Sequence, residues 1–262
     1  FRYNDLAGAT ELFRRHPGRI AAVVLEAEKE IPPAEGFLGQ LRDLCHREGA
    51  LYILDEMITG FRWHNGGAQG YHRITPDLSA FGKALGNGFA LSALAGRREF
   101  MRLGGLDHDR PRVFLLSTTH GAETHALAAG LEVIRTYQRE PVVATLWEQG
   151  RKLAAGLARA IADHRLEGFF TVAGRPCCLT YGTLDAEKRP SQAFRALFLQ
   201  ELLRRGVLAP SFVISYAHGD ADIRQTVDAV HGALAVYRQA LDQGVERFLV
   251  GRPVKPVFRK FN

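Results

Sequence analysis

Two short, unbroken apolar runs flank one helix-patterned segment near the N-terminus, and this arrangement constrains the fold more than anything else in the 262-residue chain. The first run, residues 20–25 (Ile-Ala-Ala-Val-Val-Leu), stops at Glu26, and the second, residues 50–54 (Ala-Leu-Tyr-Ile-Leu), stops at Asp55-Glu56. Between them, residues 34–48 place Phe37, Leu38, Leu41, Leu44 and Cys45 at helical spacing and end at Gly49, a helix C-cap signal. Two continuously apolar strands joined by a helix predict a parallel sheet buried on both faces. Ligands of such sheets collect beyond the carboxyl ends of the strands, where Asp55 falls.

Downstream, residues 66–70 read as a flexible loop and Thr75-Pro76-Asp77 as a turn. Residues 80–88, with three glycines around Lys83, read as a tight connection rather than a helix. Residues 114–119 form a β-prone run that leads into a helix over 123–137. An amphipathic helix follows over 141–164, then strands over 169–172 and 178–183, and helices over 191–205 and 220–243. The expected organisation is α/β: a large domain over 1–140, and a linking helix with a smaller C-terminal α+β domain over 141–262.

Charge and cysteine usage remove other classes. Lys plus Arg number 34 against 28 Asp plus Glu, a net charge of +6, but the cations are spread along the chain with no basic block interleaved with aromatics. That pattern is a solvated surface, not a nucleic-acid interface. No apolar run approaches the roughly 20 residues a bilayer span needs. The opening Phe1-Arg2-Tyr3-Asn4-Asp5 has no secretory leader and reads like the interior of a longer protein, so the N-terminal part of the fold is expected to be missing. Cys45, Cys177 and Cys178 have no metal-like spacing and fit buried, reduced thiols in the cytoplasm.

Three motif readings fail on spacing. Gly82-Lys83 lacks the first glycine and the following Ser/Thr of a phosphate loop, because Asp77 and Ala84 hold those positions. Ser79 and Lys83 are four apart, not the three of a Ser-x-x-Lys pair. His120 and His125 do not match a helical zinc motif, which leaves no metal site. Lys83 with Asp55 is the remaining constellation. An amine attacks a carbonyl only when unprotonated, so a reacting lysine is expected to sit away from water. A strand-end carboxylate supplies the counter-charge for a bound heteroaromatic cation.

The wording around both residues resembles a known family. Residues 49–62 (Gly-Ala-Leu-Tyr-Ile-Leu-Asp-Glu-Met-Ile-Thr-Gly-Phe-Arg) resemble the cofactor-anchoring segment of class III pyridoxal-phosphate aminotransferases, and residues 75–83 resemble their lysine segment. Gly66-Gly67-Ala68-Gln69-Gly70-Tyr71 and residues 96–101 are similar to the glutamate-1-semialdehyde aminomutase branch. The resemblance implies the fold type I architecture of PLP-dependent transferases, with a mostly parallel sheet flanked by helices. It implies that Lys83 forms a Schiff base with pyridoxal 5'-phosphate and carries protons, that Asp55 pairs with the pyridinium nitrogen, and that Met57 packs on one ring face. It further implies that Thr119 reaches the phosphate of a neighbouring subunit, hence a homodimer with shared sites. The implied reaction moves an amino group between a small-molecule donor and a carbonyl acceptor; an intramolecular aminomutase and a non-enzymatic relative are the alternatives. Ala27 stands where the family has proline, and Asn87 and His120 also depart from the pattern; these positions bear on substrate rather than cofactor.

Overall fold

The computed structural model describes residues 1–113, 121 and 123–255, and the chain divides into two compact units, Phe1–Val143 and Ala144–Asn262.

In the first unit, helix α1 (Leu6–Arg15) is capped by Asp5, whose carboxylate accepts from the Gly8 N–H, and it buries Ala9 and Phe13. Strand β1 (Ala22–Leu25) leads through a loop to helix α2 (Phe37–Arg47) and then to β2 (Leu51–Asp55). Helix α2 ends as its sequence demands. Gly49 takes φ +72° while the Ala50 N–H donates to the Cys45 carbonyl at 2.8 Å, closing the last turn. Its apolar stripe, Leu38, Leu41, Leu44 and Cys45, is buried, and so are Tyr52 and Leu54 of β2. Each such leucine contributes about 1.5–3 kcal/mol by leaving water.

After helix α3 (Gly67–His72) come β3 (Leu78–Phe81), a 3-10 turn (Lys83–Leu85), β4 (Ala93–Gly96), helix α4 (Arg98–Met101), a second 3-10 turn and helix α5 (Thr124–Arg139). The sheet order is β1-β2-β3-β4, with β1, β2 and β3 parallel and β4 antiparallel to β3.

Two expectations need correction here. Residues 80–88 are not wholly irregular, because β3 runs to Phe81 through backbone pairing with β2, and a helical turn follows at once. Burial of the strands on both faces also fails among the described residues. Val23, Tyr52 and Leu54 are buried, whereas Val24 is 61% exposed and Leu94 is 52% exposed. The described residues therefore cover one face of this sheet, the face that carries Tyr52 and Leu54. The β-prone run at 114–119 lies outside the described residues.

In the second unit, β5 (Phe170–Arg175), β6 (Cys178–Thr183) and β7 (Phe212–Val213) form an antiparallel sheet with order β5-β6-β7. Helices α6 (Val142–Asp163), α7 (Gln192–Arg204) and α8 (Asp220–Gln243) complete the unit. Its core is aromatic: Phe170 stacks on Tyr181, and Phe198 lies edge-on to Tyr181. The Tyr237 hydroxyl donates to the Leu184 carbonyl at 2.6 Å and accepts from the Leu184 N–H at 3.0 Å, so burial leaves that group satisfied. No helix among the described residues is long and apolar enough to cross a membrane.

Candidate functional site

Asp55 is the last residue of β2, and the parallel register pairs Leu54 with Ser79 and Asp55 with Ala80. The chain leaves β3 only two residues further on, at Gly82-Lys83. The topology thus brings the sequence-predicted carboxylate and amine to the carboxyl ends of adjacent strands.

The Asp55 side chain is half-buried and oriented from within its own loop, because Oδ1 accepts from the Met57 N–H at 2.9 Å. Oδ2 makes no hydrogen bond among the described residues. Met57 turns back over the end of β3. A Cβ on Gly82 would lie 2.4 Å from Met57 Cε and 2.9 Å from its Sδ, so the thioether fills the space that only glycine leaves.

Lys83 occupies the left-handed region with φ +47°, and it opens the 3-10 turn, its carbonyl accepting from the N–H groups of Gly86 (3.1 Å) and Asn87 (3.0 Å). For a residue with a Cβ this conformation costs about 1–2 kcal/mol. Strain of that kind persists only where surrounding structure imposes it, and it clusters at functional sites. The lysine is exposed among the described residues. The expectation that a reacting lysine is crowded away from water is therefore not met; Lys83 instead holds a left-handed backbone, which it shares with six other non-glycine residues among those described.

Glu56, beside Asp55, is 1% exposed. Its carboxyl accepts from the Thr59 hydroxyl, the Ala68 N–H (2.9 Å) and the Gln69 N–H (2.8 Å). One acidic residue escaped the sequence reading as a site candidate. Glu26 follows β1, and the Leu25–Leu54 pairing sets it beside Asp55 on the neighbouring strand. Its Oε2 is buried without a hydrogen-bond partner in the described structure. A polar residue directly after a parallel strand was the signal that could have found it. Thr119 and His120 lie outside the described residues.

These groups suit a flat heteroaromatic cation that also bears a carbonyl. A carboxylate oxygen without a hydrogen bond among the described residues could meet the ring cation, a lysine sits at the next strand end, and the Met57 thioether lies against Gly82 beside that lysine. Among the described residues no group of three or more His, Cys, Asp or Glu side chains could hold a metal ion.

A family model described as Aminotransferase class-III matches residues 5–234. The chain belongs to this family. It is 35% identical over 247 residues to the glutamate-1-semialdehyde 2,1-aminomutase of Desulforamulus reducens, a match that covers 88% of this chain and 56% of that protein. Among solved structures, the PLP internal aldimine form of the FumI protein of Sphingopyxis sp. MTA144 superposes with a TM-score of 0.80 at 25% identity, covering 92% of this chain and 58% of that one. An omega-transaminase from Sphaerobacter thermophilus gives a TM-score of 0.77 at 27% identity, covering 91% and 57%. This class-III chain thus has the fold of solved transaminases and spans somewhat more than half the length of the relatives it matches. The aminomutase likeness read from residues 66–71 agrees with the first of these relatives.

Proposed function

We propose that this class-III aminotransferase chain carries the cofactor-anchoring part of a pyridoxal-phosphate-dependent amino-group transfer. The observation that carries the reading is the register of β2 against β3. It sets Asp55, whose Oδ2 makes no hydrogen bond among the described residues, beside the strand from which Lys83 departs. When bound, pyridoxal phosphate supplies an electron sink that lets a C–H bond next to nitrogen break. Lys83 would hold the cofactor covalently, its Nζ condensing with the carbonyl carbon and the carbonyl oxygen leaving as water. As a free amine, the same Nζ would take the proton from the donor's amine-bearing carbon and return one. Asp55 Oδ2 would hold the proton on the ring nitrogen, while the Met57 N–H engages the other oxygen. Met57 would pack against one ring face. The working form is a homodimer with shared sites, in keeping with the phosphate role that the family resemblance implies for Thr119, which lies outside the described residues, and its place is the cytoplasm. The substrates are a small amine or amino-acid donor and a carbonyl acceptor.

An intramolecular aminomutase is the second reading, favoured by the 35% identity to a glutamate-1-semialdehyde 2,1-aminomutase. Screening amine donors while following the visible absorbance of the loaded protein tests the first reading. Spectral change with release of a carbonyl product supports transfer. Isomerised substrate without released carbonyl product supports the mutase. No visible-range absorbance after incubation with pyridoxal phosphate contradicts both.

A further inference from the structure

We infer that Glu56 is a positioning residue for this site, acting on the cofactor through Met57 and Asp55; the inference rests on the pyridoxal-phosphate reading above. A buried acid normally has a cation beside it. Glu56 is 1% exposed, yet no ion pair to it exists among the described residues, and its three partners are one hydroxyl and two backbone N–H groups. Three neutral donors drawn from different parts of the chain satisfy the carboxyl and at the same time tie those parts together.

Thr59 lies early in the loop after β2, whereas Ala68 and Gln69 lie in α3, so one side chain pins both ends of the segment between them. The backbone of Glu56 completes the pin: its N–H donates to the Ala80 carbonyl of β3 at 2.9 Å, and its carbonyl accepts from the Gly60 N–H at 2.9 Å. Gly67, at φ +75°, brings the chain so close that a Cβ would meet Glu56 Oε1 at 2.6 Å. Met57 is the next residue. Its N–H orients Asp55 Oδ1, and its side chain lies over Gly82 at the base of Lys83. Glu56 therefore fixes the peptide that aims the carboxylate, while touching neither Asp55 Oδ2 nor the lysine.

Glu56→Gln preserves shape but turns an amide NH2 toward donors, so it releases the pin. Thr59→Val removes one of the three donors and leaves the acid in place. The test uses purified protein loaded with pyridoxal phosphate and reads the pH midpoint of its visible band, cofactor retention on dilution, and the melting temperature. Glu56→Gln is expected to move the midpoint by about half a pH unit, because ring-nitrogen protonation follows Asp55 orientation. It should also weaken retention about tenfold, the scale on which groups that orient a ligating residue act. Thr59→Val should shift both in the same direction by less, and it serves alone if Glu56→Gln does not fold. A lowered melting temperature with unchanged midpoint and retention in the folded variants overturns the inference. Absence of covalently captured cofactor on Lys83 in the unsubstituted protein instead overturns the cofactor reading, and this inference with it.

Discussion

Lys83 offers an unusual pair of substitutions, because its backbone and its amine can be separated. The residue is exposed and holds φ +47°, so alanine and glycine both remove the amine at little packing cost, but only glycine accepts the left-handed conformation freely. Relief of that strain favours the glycine variant by about 1–2 kcal/mol. Against this, the looser unfolded chain of the glycine variant costs about 0.4–1 kcal/mol. Lys83→Gly is therefore expected to be more stable than Lys83→Ala by about 0.5–1 kcal/mol, the reverse of the usual order of these two residues in a helical turn. For the Phe1–Val143 unit the unfolding entropy makes this about 2–3 °C in melting temperature. Urea unfolding of both variants without cofactor measures the difference directly. A glycine variant equal to or less stable than the alanine variant refutes the claim that the lysine is held in strain.

Other expectations follow from the surrounding structure. Burial raises the Asp77 carboxyl, but the Tyr52 N–H, His46 and Arg97 outweigh it and hold the group below its ordinary 3.8. The stability this contributes is present above that value and lost as pH falls through about 4 and below. Asp77→Asn should cost about 1–2 kcal/mol at neutral pH and flatten the acid limb of a stability–pH profile. In the second unit, Glu201 is 3% exposed and bonds both Arg204 and Arg205 at 2.6 Å. Because both arginines are partly in water, Glu201→Gln should cost about 2 kcal/mol, less than a fully buried pair would, read by denaturant midpoint. Gly150→Ala would place its Cβ 1.9 Å from the Pro176 carbonyl oxygen, which is backbone and cannot swing aside. A loss of about 1–3 kcal/mol by thermal melt is expected there.

The parts of the fold legible in the sequence are those whose signals are local. Strands β1 and β2 announce themselves by apolar runs, and α2 by the spacing of Leu38, Leu41 and Cys45 and by Gly49. Strand β6 and helix α8 occupy the segments that their patterns predict. Helix α1 gives little signal in the sequence, because it buries only Ala9 and Phe13 and contains Gly8 and Thr10. Strands β3 and β4 are equally faint in the sequence. Leu-Ser-Ala-Phe and Ala-Leu-Ala-Gly carry little β-propensity, and their pairing comes from neighbours. The same division holds for the site. Asp55 and Lys83 stand out because residue type and strand-end position are local facts. The Met57 N–H on Asp55, the Met57 side chain over Gly82 and the three donors on Glu56 are not local patterns, since they depend on how the loop from 57 to 69 returns to the sheet.

The most direct test is borohydride reduction of the protein incubated with pyridoxal phosphate, followed by proteolysis and mass mapping. A single pyridoxyl adduct on Lys83, absent from Lys83→Ala and weakened by Asp55→Asn, is the predicted result. An adduct on any other lysine, or one on Lys83 that is indifferent to Asp55, would contradict the pairing of these two strand ends around one ring.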